Sequence, residues 1–199
     1  MSGRSHQEVV AGLADAARAV AAASGEPLER MRALEGPIAA AVRDPSWLAA
    51  PYRRVQGSGT YYLLWRDGAS DVSLVAMVLG PGQETPIHDH LTWGVVGVYE
   101  GVQRDTRYAL WAGGLRETSS RSRRAGAVTT LLPPDDDIHS VRSEGAGATI
   151  SVFFAGSNLG CRPRHVFGDE GARETIVSGY ANSSCPEQTR SPFAVSQFM

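Results

Sequence analysis

Three imidazoles, and the short segments that carry them, are the part of this chain most able to do chemistry. His88 and His90 flank Asp89 in Pro86-Ile87-His88-Asp89-His90, and His139 stands in Asp137-Ile138-His139-Ser140. Residues two apart on a strand face the same way, so His88 and His90 share a face while Asp89 points to the other. His139 follows a Pro-rich turn and opens a further strand, from which it can supply a third nitrogen. Neutral imidazole suits iron, zinc, nickel or copper better than magnesium or calcium. The sequence holds only five histidines, so three in such settings point to one shared metal ion.

Two kinds of sequence surround these segments. Residues 6–23 are rich in alanine, and Val10, Leu13, Ala17 and Val20 recur at steps of three and four, which marks one helical face. Ser24-Gly25-Glu26 breaks the run, and Pro27 suits a first helical position. Leu28, Met31, Leu34, Ile38 and Val42 form a second stripe that ends near Asp44-Pro45. After Pro51, β-branched and aromatic runs alternate with Gly, Pro and Asp turns. Strands are expected at 72–79, 92–99, 103–111, 128–132 and 149–154, with turns at 80–82, 113–114, 133–134 and 145–147. No long helical pattern intervenes, so an antiparallel sandwich or barrel is expected. The polar, basic run 119–124 reads as a solvated strand edge or loop. On this reading the chain divides into a helical layer over 1–50, a β domain over 51–182 and a polar, loosely held tail over 183–199.

The totals exclude several classes. At 199 residues, 42% hydrophobic and 20% charged, the chain is sized for one compact domain. Net charge is −2, which implies no basic surface for nucleic acid. No apolar run reaches the roughly 20 residues that span a bilayer, and the start of the chain lacks the apolar core of a secretory signal. Two cysteines, Cys161 and Cys185, do not make a disulfide framework, and Cys161 is expected as a small buried residue. The expected setting is cytoplasmic, with no nucleic-acid or membrane partner, as a monomer or homodimer.

The spacing around the histidines resembles that of a known family. Gly82, His88-Asp89-His90, Gly94 and Gly101 look like the first cupin motif, with Gly94 where that motif carries a glutamate ligand. Pro134-Asp135-Asp136-Asp137-Ile138-His139 resembles the second motif, with Asp136 where its turn glycine stands. Three histidines without the glutamate are the pattern of the thiol dioxygenases of the cysteine dioxygenase family. The run from Gly80 to His90, then Trp93-Gly94-Val95-Val96-Gly97-Val98, is similar to the bacterial branch, which includes 3-mercaptopropionate dioxygenases. Ser157-Asn158-Leu159-Gly160, Arg164-His165-Val166-Phe167 and Ser178-Gly179-Tyr180 are similar to it too. The likeness covers residues 50–182. It implies an all-β chain with N-terminal helices, built as a cupin barrel (a double-stranded β-helix, or jelly roll).

The resemblance also implies Fe(II) as cofactor, held by His88, His90 and His139. A small thiol and O2 are the implied substrates and a sulfinate the product. Three neutral ligands leave the ion its full charge, which favours an anionic thiolate beside it. Holding both reactants on one ion turns their meeting into an intramolecular event. Mammalian members anchor the substrate carboxylate with an arginine on the strand before the metal motif, and Tyr61 or Tyr62 stands near that place here. The bacterial branch can use a later arginine. Arg164 falls in the matching segment, and its guanidinium can hold a carboxylate through two hydrogen bonds.

The chain departs from the family on the strand after the third ligand. The family's Ser-x-His-x-Tyr trio becomes Ser151-Val152-Phe153-Phe154-Ala155. All three positions share one strand face, so a polar relay has become an apolar wall with a gap. Losing one contact of that kind commonly costs about 10- to 100-fold. Tyr61, Tyr62, Tyr108, Tyr180 or a larger substrate can fill the gap beside Ala155. The cysteine that crosslinks to tyrosine in mammalian members has no counterpart, since Gly94 or Val95 stands there. Ser151, Tyr62 and Tyr108 are thus the candidate catalytic residues. Arg164, Trp93, Phe153 and His165 are the candidate substrate-binding residues. Asp135-Asp136-Asp137 reads as a solvated turn. Two alternatives stand beside thiol oxidation to sulfinate: a rearranged or cleaved product made from a thiol in a biosynthetic pathway, and a non-oxygenase metal cupin such as an isomerase or hydrolase.

Overall fold

The computed structural model describes residues 4–23, 25–168 and 171–186. Two helices open the chain, α1 (His6–Ala22) and α2 (Pro27–Val42). Ser5 caps α1 through the backbone N–H of Glu8, and the Glu8 carboxylate returns a bond to the Ser5 N–H. This reciprocal box satisfies two donors that a helix start leaves open. Pro27 occupies the first turn of α2, as its fixed φ favours.

Eleven strands follow among the described residues. β1 (Thr60–Arg66), β2 (Ser73–Leu79), β9 (Thr149–Ala155), β4 (Gly94–Glu100) and β7 (Val128–Leu131) form one sheet in that spatial order. β11 (Arg173–Ile176), β10 (Arg164–Phe167), β3 (Ile87–His88), β8 (His139–Glu144), β5 (Val102–Trp111) and β6 (Gly114–Arg124) form the other. From β2 to β5 the chain changes sheet at every strand. It doubles back in the β5–β6 hairpin, then alternates again through β7, β8 and β9. That is the path of a double-sheet jelly roll. The ladders remain two separate sheets and do not close into the barrel expected from the sequence. The basic run at 119–124 lies within β6, on the outer edge of the second sheet.

Period-two alternation sorts the first sheet into two faces. Leu74, Ala76 and Val78 of β2 and Ile150, Val152 and Phe154 of β9 join the core under the helices, against Leu13, Leu34 and Ile38. Val75, Val96, Phe153 and Ala155 turn to the space between the sheets. α2 presses on β4 where Gly97 stands: a methyl group there would come within 2.6 Å of Ile38 Cγ2.

The chain's last described part is tied along β1. Ala181 N–H donates to Tyr61 O (2.8 Å), and the Asn182 side chain pairs with the Leu63 backbone in both directions. Cys161 and Cys185 form a disulfide that closes this segment. The expectation of two unpaired cysteines is thereby corrected. Pairing depended on a strap that brings distant positions together, which no spacing rule reveals. The reducing compartment inferred from lone cysteines loses that ground, since disulfides persist in oxidising settings. No helix among the described residues is long and apolar enough to cross a membrane. Most of the tail expected over 183–199 lies outside the described residues.

Candidate metal centre

β3 and β8 lie side by side with His88 opposite His139. His90 follows β3 on the same inward side. One ring nitrogen from each of His88, His90 and His139 falls within 4.8 Å of the others, and all three residues are buried. Each Nδ1 is already engaged. His88 Nδ1–H donates to Pro86 O (2.9 Å), His90 Nδ1–H to Asp137 Oδ1 (3.0 Å), and His139 Nδ1–H to Asp105 Oδ1 (2.9 Å). These bonds fix the tautomer and leave every Nε2 lone pair for an ion, the usual way a protein orients metal-binding imidazoles. Burial, followed by the neighbouring His139, pushes His88 and His90 well below the ordinary histidine pKa. Both rings therefore stay neutral, the form that binds metal.

The two carboxylates behind the rings are themselves held. Asp137 accepts the backbone N–H groups of His90 and Leu91 as well as the ring. It is 2% exposed, which corrects the reading of 135–137 as a solvated turn at its third residue, while Asp135 and Asp136 are exposed as expected. Burial raises its pKa, and the two N–H donors pull the other way. Leu91 adopts φ 54°, a left-handed conformation rare for leucine. Its N–H bond to Asp137, at 2.8 Å, holds the chain in that shape. Asp105 receives His139, Arg107 and Arg123. Burial alone would raise its pKa; the hydrogen bond from His139 and the Arg107 guanidinium outweigh that and hold the carboxyl well below the usual range.

Where a cupin glutamate would stand, Phe153 fills the space. A Cβ on Gly94 would come within 2.1 Å of Phe153 Cε2, so the ring excludes any side chain at 94 in this arrangement. The Phe153 ring meets His90 edge-on at 5.3 Å. The donor set is thus three neutral nitrogens with no carboxylate, and it could hold a metal ion.

Two spaces adjoin the rings. An inner cavity of about 20 Å³ lies between the histidines and Met77, Gln103, Ser151 and Phe153. That is room for about one water-sized group. An outer pocket of about 240 Å³ is lined by Tyr61, His88, Arg164, Ile176 and Ser178 among others. Tyr61 and His88 belong to both. Arg164 is 2% exposed. Its guanidinium donates to Asp89 O and to the Ser178 hydroxyl, and lies 5.8 Å from the Tyr61 ring centre. Its buried Nε has no hydrogen-bond partner, and no carboxylate pairs with it among the described residues.

The structure thus brings His88, His90, His139, Ser151 and Phe153 onto one cavity, with Arg164 beside it. It places four other candidates elsewhere. Tyr62 packs in the core under the helices, its hydroxyl donating to Arg54 O; the opposite-facing Tyr61 lines the cavity in its stead. Tyr108 and Trp93 line neither space, and Trp93 lies against Gly156. His165 turns away from the rings and binds Asp89 through its backbone N–H and Nδ1 (2.7 Å each). That pair also keeps Asp89 off the metal side.

No family model matches the chain. Among solved structures it is similar to oxalate oxidase in complex with the substrate analogue glycolate, at 18% identity over 58% of this chain and 61% of that one, with a TM-score of 0.44. It is also similar to a cupin-2 domain from Rhodospirillum rubrum, at 16% identity over 61% and 71%, TM-score 0.46. A cupin superfamily protein from Desulfitobacterium hafniense matches at 10% identity over 52% and 81%, TM-score 0.40. The match spans about three fifths of the oxalate oxidase chain. Likeness at this distance carries nothing about ligand or reaction.

Sequence reasoning missed Gln103, Asp105 and the role of Asp137. Alternation along β5 was the available signal: Gln103, Asp105 and Arg107 are buried polar residues at every second position. Polar side chains turned inward need partners or a task.

Proposed function

We propose that this chain is a mononuclear non-haem Fe(II) dioxygenase that oxidises the sulfur of a small thiol bearing a carboxylate. The observation that supports it most is Arg164, a buried guanidinium without a carboxylate partner among the described residues, in a pocket that shares His88 with the three-histidine centre. A buried cation of that kind calls for an anion. When bound, the ferrous ion supplies the redox chemistry that joins dioxygen to a thiolate sulfur. One thiol and one O2 give one sulfinic acid. The O–O bond breaks, two S–O bonds form, and the sulfur provides the four electrons.

The chain's own residues set the geometry. Arg164 holds the carboxylate through guanidinium N–H groups that face the outer pocket, with Ser178 steadying the guanidinium. The Tyr61 ring walls the outer pocket, and the sulfur then points toward His88. The inner cavity is narrow beside the outer pocket, which has the volume for the thiol's carbon skeleton. Phe153 keeps the fourth protein ligand out. The partners of this reading are the thiol and O2 alone, in the cytoplasm, acting as monomer or homodimer.

The test is O2 uptake by iron-loaded protein with 3-mercaptopropionate, cysteine and cysteamine. Uptake is expected with the two carboxylates, one sulfinate forming per O2, and only weakly with cysteamine. Arg164→Met should raise KM for the carboxylate thiols roughly 10- to 100-fold, the value of a charge-assisted hydrogen bond. Silence with all three thiols defeats the reading. Mass spectrometry of the product separates a sulfinate from a rearranged or cleaved one.

A further inference from the structure

Gln103 and Ser151 are polar cavity residues that the foregoing reading leaves without a task. Gln103 is 2% exposed and comes from β5, in the sheet that carries the histidines. Ser151, 1% exposed, comes from β9 in the facing sheet. The Ser151 hydroxyl donates to Gln103 Oε1 across the gap at 2.6 Å. In this arrangement the carboxamide turns its oxygen to the hydroxyl. The oxygen is spent on serine, so the NH2 group is the end left over. Among the described residues that NH2 has no hydrogen-bond partner. An amide donor left unpaired in so buried a residue is one that a water or a ligand in the adjoining space can satisfy.

The surroundings say what kind of ligand. Gln103, Ser151 and the three histidines line the same inner cavity of about 20 Å³. Met77, Val96, Val141 and Phe153 add apolar wall; of the other polar lining residues, Asp105 and Thr129 already accept from Arg107, and Tyr61 stands toward the outer pocket. Gln103 and the three histidines stand on the walls of that one small space. The occupant is therefore small, bound near the histidines and able to accept a hydrogen bond. We infer that Gln103 Nε2 donates that bond to a diatomic oxygen ligand, with Ser151 as the positioning residue that holds the amide in the donating orientation. This rests on the oxygenase reading for its choice of ligand. The polar contact that the Phe153 and Ala155 substitutions remove from β9 is thus supplied from the opposite sheet.

Nitric oxide serves as the probe, since it binds ferrous sites as a diatomic and needs no turnover. Gln103→Leu keeps the volume and removes the donor; Ser151→Ala keeps the amide and lets it turn over. Nitric oxide affinity of the iron-loaded protein should fall about fivefold in Gln103→Leu, the worth of one neutral hydrogen bond. It should fall by less in Ser151→Ala, with anaerobic thiol binding unchanged in both. Under turnover, Gln103→Leu should consume more than one O2 per sulfinate, the excess O2 leaving as hydrogen peroxide while two thiols per O2 couple to a disulfide. A folded Gln103→Leu with wild-type nitric oxide affinity overturns the inference, as does a wild type that takes up no nitric oxide. If Gln103→Leu does not fold, Ser151→Ala decides on the same readout. Wild-type protein that oxidises no thiol, yet loses nitric oxide affinity on Gln103→Leu, removes the oxygenase reading and keeps the donor. Thiol oxidation with nitric oxide affinity indifferent to both substitutions does the reverse.

Discussion

The two sheets of this sandwich are built from the same kind of strand and yet differ in what they hold. In the first sheet every residue of β2 and β9 is buried, and the side chains are mostly apolar on both faces. One face lies under the helices and the other walls the cavity. The second sheet turns its outer face to solvent, and β6 is largely exposed. Its inner face carries Gln103, Asp105, Arg107 and His139, all buried. The histidines, the carboxylates behind them and Arg164 all come from this second sheet or the loops joined to it. The nitrogen ligands and the buried guanidinium thus come from one slab and the main apolar core from the other, with Tyr61, Ser151 and Phe153 of the first sheet as the cavity's facing wall; substitutions under the helices should be felt as lost stability and those at the rings as lost binding.

The sharpest way to break that division is at a ligand. His139→Ala should take bound iron from one ion per chain to none by elemental analysis, with little change in the melting temperature of the metal-free protein. Retained iron would mean that the second sheet does not hold the ion. Next comes the first sheet's far face. Phe154→Ala should cost about 3–5 kcal/mol in urea unfolding, as large buried aromatics do, and leave the iron content alone. A loss of iron at equal folded fraction would show that the slabs are not independent.

Two smaller effects refine the comparison. Gly94→Ala should cost about 1–3 kcal/mol through overpacking, because the new methyl meets the Phe153 ring. Adding Phe153→Ala should recover part of that cost, which a double-mutant cycle measures as coupling. Additive losses would remove the steric account. Asp105→Asn should weaken iron binding about tenfold in a chelator competition, since an amide orients His139 less strongly than a carboxylate does.

Much of this was legible in the chain. The helical stripes placed α1 and α2 within a residue or two, because Val10, Leu13, Leu34 and Ile38 repeat at steps that only a helix satisfies. The His88–His90 spacing fixed a shared face by period two, and the same rule put Ser151, Phe153 and Ala155 together. What failed was register across strands. Tyr61 and Tyr62 are adjacent, and a one-residue shift sends each to the opposite face; the sequence could not say which faced inward. Asp137 sits 47 positions from His90, and nothing in Asp135-Asp136-Asp137 marks the third as the buried one. Gln103 gains meaning only once Ser151, on another sheet, is brought against it.

β4 is squeezed from both sides by contacts that leave no room for a methyl, Ile38 and Val42 over Gly97 and Phe153 over Gly94. A carboxylate introduced at 94 to complete the ligand set would therefore meet the Phe153 ring, and a four-ligand variant of this centre is best built with a smaller residue at 153 alongside it.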